Sequence, residues 1–184
     1  SSGSMGSTQY VGTGQKYDIL MHVCYGILKT VRKAAQEMSK AVNVAAVNFS
    51  NGSILSDAVE VANMYDSPNN TAKQVLTGFQ GGGTEYSADT FNQLQKKIKP
   101  GKTVHIWVTD GELNGNCQQA ALQQIHGAVQ QSNTSFLYFE IGSSSPFGQQ
   151  VQRLFTPFTN AQYYPNVSLQ TIKDKALEVL LQYQ

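Results

Sequence analysis

Three segments of this chain place oxygen donors where turns are expected: Ser1-Ser2-Gly3-Ser4-Met5, Gly81-Gly82-Gly83-Thr84 and Thr109-Asp110-Gly111. Ser2, Ser4 and Thr84 offer hydroxyls and Asp110 a carboxylate. Hard divalent cations take such oxygens, and an all-oxygen octahedral shell favours Mg²⁺ or Mn²⁺ over zinc. Only Cys24 and Cys117 are present and neither lies in a Cys-x-x-Cys pair, so zinc and thioredoxin-type redox chemistry lack a ligand set. Gly81-Gly82-Gly83 also presents backbone N–H groups of the kind that cradle phosphate. It lacks the P-loop Lys and does not run from a strand into a helix, which counts against a nucleotide site.

Asp110 and Glu112 are two carboxylates that in another setting would serve acid/base catalysis. No Ser-His-Asp or His-rich arrangement surrounds them, so hydrolysis ranks behind binding. Glu85 and Glu112 have no assigned role. His105, in an apolar run, and His126, on a helix, read as structural. Trp107, Tyr138 and Phe139 read as core packing residues, and Tyr86 is either the flank of a ligand groove or an exposed loop aromatic with no role.

A scaffold must bring these loops together. Tyr17, Leu20, Met21, Cys24, Ile27, Leu28, Val31, Ala35 and Met38 recur every three or four residues, which predicts a long helix packed on a sheet. Cys24 falls on its apolar face as a small core residue. Val42 to Phe49 is a β-branched run, and Asn51-Gly52 signals a hairpin into Ser53–Ser56. Turn chemistry at Asp66 to Asn70 leads into a short helix, Thr71 to Leu76. Ser87 caps a helix that runs through Lys97 and stops at Pro100-Gly101.

Lys102 to Thr109 is short, apolar and bounded by turns, as in a buried parallel strand, so Asp110 stands at a strand's carboxyl end. Helix Gln118 to Val129, strand Phe136 to Ile141, helix Gly148 to Phe155, a short strand near Tyr163-Tyr164 and helix Leu169 to Leu181 follow. This alternation predicts an open, doubly wound, mainly parallel α/β sheet with helices on both faces. Val44, Ala46, Val104, Ile106, Val108, Leu137 and Phe139 are its expected core. Ligands of such sheets bind outside the carboxyl ends of the strands, where all the oxygen-bearing segments belong.

The three loops together resemble the metal-ion-dependent adhesion site (MIDAS) of von Willebrand factor A (VWA) domains, in which an Asp-x-Ser-x-Ser loop is followed by a Thr loop and an Asp-Gly loop. The resemblance implies one VWA-like domain over residues 1–184 with a Rossmann-like sheet, strand order 3-2-1-4-5-6, and strand 3 antiparallel and supplied by the Asn51-Gly52 hairpin. It implies Ser2, Ser4, Thr84 and Asp110 as ligands of Mg²⁺ or Mn²⁺, with one coordination position left for an Asp or Glu of a protein partner. The family's Asp would stand two places before Ser2, ahead of Ser1, as would the apolar first central strand. By that comparison the chain reads as N-terminally truncated. Leu169 to Gln184 is helical in pattern and has no acidic loop, so circular permutation does not restore the strand.

The Ser-Gly-Ser-Met form, the absence of disulfide pairing and the Gly-Gly-Gly-Thr loop look more like those of intracellular prokaryotic A domains, which often act as accessory modules beside ATPases of the chelatase type or ribonucleoprotein proteins. This resemblance implies a cytoplasmic, non-enzymatic binding role. The alternatives are an extracellular adhesion A domain, favoured by low charge and by the sequons Asn51-Gly52-Ser53 and Asn133-Thr134-Ser135, and a metal-assisted hydrolase.

Composition narrows the partners. Charged residues are 14% of the 184 and the net charge is +1, so no basic footprint for nucleic acid and no acidic tail is visible. The length fits one domain with one substantial core. No apolar run is long enough to span a bilayer, so no membrane insertion is expected. Oligomeric state has no signature here.

Overall fold

A computed structural model of the chain describes residues 10–11, 14–50, 52–64, 71–77 and 84–182. Two short strands, β1 (Tyr10–Val11) and β2 (Gly14–Gln15), pair antiparallel ahead of the long helix α1 (Lys16–Met38). Val23, Cys24, Ile27, Leu28, Val31, Ala34 and Ala35 of α1 are buried, which realises the apolar stripe of the sequence. Ser39 ends α1 at φ +52, with Ser39 N–H donating to Gln36 O and Lys40 N–H to Ala35 O. This paired closure satisfies carbonyls that the helix end would otherwise leave open.

The Val42–Phe49 run divides between two partners. β3 (Asn43–Val44) pairs antiparallel with β6 (Val59–Glu60), whereas β4 (Val47–Phe49) pairs antiparallel with β5 (Ser53–Leu55) around the expected hairpin, of which Asn51 lies outside the described residues. A 3₁₀ turn (Val61–Asn63) and α2 (Ala72–Thr77) lead to α3 (Ala88–Lys97). Ser87 caps α3 as expected, its side chain accepting from Thr90 N–H.

The second half of the chain alternates strictly. β7 (Thr103–Thr109), α4 (Gly115–Val129), β8 (Thr134–Glu140), α5 (Pro146–Phe155), β9 (Ala161–Tyr164) and α6 (Leu169–Leu181) build a three-stranded parallel sheet in the order β7-β8-β9. Helices cover both faces. Leu137 and Phe139 point into a core with α1 and α6, while Phe136, Tyr138 and Trp107 point into a second core with α3, α4 and α5. The fold is thus mixed α/β with a parallel sheet flanked by helices. The described strands do not join into one continuous sheet: β3–β6, β4–β5 and β7-β8-β9 are separate ladders.

That separation corrects the expected core. Ala46, Leu137 and Phe139 are buried, but Val44, Val104, Ile106 and Val108 are only half-buried. β7 pairs with β8 and, among the described residues, with nothing on its other side, so its apolar side chains lack the neighbour that would cover them.

Candidate functional site

The parallel ladder delivers Asp110 to the carboxyl edge of the sheet, one residue beyond β7. A tight turn holds it there. Gly111 adopts φ +78, its N–H donates to Thr109 Oγ1 at 3.1 Å, and Glu112 N–H donates to Asp110 Oδ1 at 3.3 Å. Asp110 is only 5% exposed.

Thr84 reaches the same edge from the loop before α3. Its carbonyl accepts from Asn114 N–H at 2.9 Å, and Glu85 N–H donates to Ser50 O at 2.9 Å. These two bonds tie the residue after β4, the Thr84 loop and the Asp110 loop together. Thr84 is 7% exposed. Of the four expected donors, Thr84 and Asp110 are therefore brought to one edge, while Ser2, Ser4 and the glycines Gly81 to Gly83 lie outside the described residues.

A second carboxylate, absent from the donors expected from the sequence, lies against the Asp110 turn. Glu140 pairs in register with Thr109 and is fully buried. Its Oε1 accepts from Ser145 N–H and its Oε2 from Tyr163 O–H, both at 2.6 Å. Ser145 also caps α5, accepting from Gly148 N–H at 2.9 Å. Burial, together with the hydrogen bond to Glu140, pushes the Tyr163 phenol up to about 12. Burial also raises the Tyr138 phenol, and the carboxylates of Glu140 and Asp110 raise it further. The only sequence signal for Glu140 was an acidic residue closing an otherwise apolar strand.

No family model, curated protein or solved structure matches this chain.

The remaining candidates resolve locally. Tyr86 is a core residue: it stacks on Phe91 with ring centroids 4.7 Å apart, and its hydroxyl donates to Gln124 Oε1 at 2.8 Å. Burial pushes its phenol up. His105 stacks on Phe136, and burial lowers its imidazole to about 4. His126 is exposed and lies edge-on to Phe158. Cys24 is a buried free thiol pushed up to about 12 by burial, and Cys117 Sγ accepts from Tyr86 N–H. Glu85 and Glu112 face solvent.

Thr84 and Asp110 are hard oxygen donors of the type that suits Mg²⁺ or Mn²⁺. Among the described residues no three His, Cys, Asp or Glu side chains gather. A cation held by Thr84 and Asp110 would therefore draw its remaining oxygens from hydroxyls, carbonyls or water.

Proposed function

We propose that this chain is a metal-dependent protein-binding module, with a VWA-like site at the carboxyl edge of its sheet. The observation that carries the reading is the Asn114 N–H to Thr84 O bond, which draws the Thr84 loop onto the loop of Asp110. In this reading Thr84 and Asp110 hold Mg²⁺ or Mn²⁺, and Ser2 and Ser4 complete the hydroxyl set. When bound, the ion supplies a positive contact for an Asp or Glu side chain of a protein partner. The chain's residues set how strong that contact is. Ser2, Ser4 and Thr84 are neutral, so Asp110 alone among the four offsets the ion's charge and an external carboxylate remains favourable. Asp110 is oriented for the task by Glu112 N–H and by the turn at Gly111.

The finer fold proposed with it is an open, doubly wound VWA-like sheet, of which β7, β8 and β9 form one side. The proposed setting is cytoplasmic, and the two free cysteines accord with it. No described helix is long and apolar enough to cross a membrane.

Calorimetric titration with Mg²⁺ and Mn²⁺, and capture on an immobilised Glu-containing peptide panel with and without EDTA, test the reading. Metal binding should be lost in Asp110→Ala and weakened in Thr84→Val, with unfolding midpoints little changed. Peptide capture that is indifferent both to EDTA and to Asp110→Ala would sink the proposal.

A further inference from the structure

Among the described residues the buried acidic side chains are Asp110 and Glu140, and they stand on neighbouring strand ends. Asp110 follows β7, and Glu140 closes β8 opposite Thr109. Burying a carboxylate is costly unless a positive charge or good hydrogen bonds offset it. Glu140 has no cationic partner: the ion pairs among the described residues are Lys33–Glu37, Lys97–Asp57 and Lys175–Glu178. Its charge is met by neutral donors, Ser145 N–H and Tyr163 O–H, at the amino end of α5. The dipole of that helix adds only about half a unit of positive charge there.

Two glycines make room for this carboxylate. A Cβ on Gly111, in the turn after Asp110, would collide with Glu140 Oε1, and a Cβ on Gly148, in the first turn of α5, would collide with Oε2. The negative charge is thereby brought against the back of the turn that presents Asp110. Tyr138 gives an independent sign that this interior is polar. It lies two residues before Glu140 on the same face of β8, and its buried hydroxyl has no hydrogen-bond partner among the described residues. Burial raises its phenol, and the nearby charges of Glu140 and Asp110 raise it further, so an unused O–H donor stands close to both carboxylates.

The hydrogen bonds of Glu140 do not themselves need a charge. A glutamine there could accept from Ser145 N–H through its Oε1 and donate to the Tyr163 oxygen through its Nε2. Tyr163 O–H would then turn to Ser144 Oγ, which is 2.9 Å away. What a carboxylate adds over an amide is a buried negative charge beside Asp110, and such a charge attracts a cation at the sheet edge more strongly the higher the cation's own charge.

We propose that Glu140 is a positioning residue of the carboxyl-edge cation site: it braces the Asp110 turn through Gly111 and strengthens divalent over monovalent binding through its charge, without ligating the ion. The proposal rests on the metal-binding reading above and adds to it a second carboxylate behind Asp110.

The 184-residue chain is compared with Glu140→Gln, Tyr163→Phe and Asp110→Ala, by calorimetry with Mn²⁺, by luminescence with Tb³⁺ and by urea unfolding in EDTA. Glu140→Gln should bind Mn²⁺ about tenfold more weakly, the usual size of effect for a group behind a ligand. It should bind Tb³⁺ about thirtyfold more weakly, because a through-space contribution grows with the ion's charge. Its unfolding midpoint in EDTA should stay level or rise, since a buried charge has been made neutral. Tyr163→Phe keeps the charge and removes a hydrogen bond, so it should lower that midpoint and leave Mn²⁺ affinity within about threefold of the parent.

Undiminished affinity for both ions in Glu140→Gln overturns the proposal, and the metal-binding reading survives that result if Asp110→Ala still abolishes binding. Equal losses for Mn²⁺ and Tb³⁺, or a loss matched by a lower midpoint in EDTA, would assign Glu140 a structural role only and overturn it as well. So would a Glu140→Gln chain that does not fold. No Mn²⁺ binding by the parent chain, or binding indifferent to Asp110→Ala, removes the proposal together with the reading beneath it.

Discussion

Gly111 packs so closely on Glu140 that a Cβ built on the glycine would fall 2.2 Å from Glu140 Oε1 and equally close to Ser145 Oγ. The turn that presents Asp110 and the buried carboxylate at the end of β8 are therefore one packed unit. Gly111 also holds φ +78, a conformation that side chains disfavour.

Gly111→Ala should accordingly destabilise by about 1 to 3 kcal/mol, from strain and from displacing Glu140 out of its hydrogen bonds. Gly115→Ala, where a Cβ meets open space, is the control and should stay within about 0.5 kcal/mol of the parent. Urea unfolding of both variants gives the comparison, and equal midpoints would contradict the close packing.

Ile106 and Leu137 are register partners across β7 and β8 with unequal surroundings. Leu137 is 1% exposed and Leu137→Ala should cost about 2 to 5 kcal/mol. Ile106 is half-buried on the open side, so Ile106→Ala should cost only about 1 to 2 kcal/mol. Denaturant unfolding that shows equal losses would mean β7 is covered in solution.

His105 makes stability depend on pH. Burial lowers its folded value to about 4, so the unfolded chain takes up a proton at higher pH than the folded one does. The contribution of His105 is therefore complete above about pH 6.5 and declines as pH falls toward about 4, by about 2 to 3 kcal/mol. Unfolding free energies measured across that range should fall less steeply in His105→Gln, and identical slopes would refute the assignment.

Tyr138 is fully buried, and its hydroxyl meets no hydrogen-bonding group among the described residues. Tyr138→Phe removes a desolvated polar atom and keeps the ring against Trp107 and Phe147. Thermal unfolding should show a neutral to slightly stabilising effect, up to about 1 kcal/mol. A loss larger than that would reveal an unrecognised partner for the hydroxyl.

The sequence by itself determined the elements whose signals are local. The stripe through Leu20, Cys24, Ile27 and Val31 encodes α1, Ser87 encodes the start of α3, and the apolar run before Asp110 encodes β7, because periodicity, capping and turn chemistry act over a few residues. Hence the placement of Asp110 at a strand's carboxyl end is legible in the sequence. Pairing and burial were decided only by the tertiary structure. Val42 to Phe49 reads as one strand yet serves β6 and β5 separately, and Val104, Ile106 and Val108 read as core yet stand half-exposed, because what lies across a strand edge depends on residues far away in the chain. Glu140 shows the same limit from the other side. Nothing in its neighbours marks it as buried, and it becomes so only because Ser145, Tyr163, Gly111 and Gly148, from other loops and strands, close around its carboxylate.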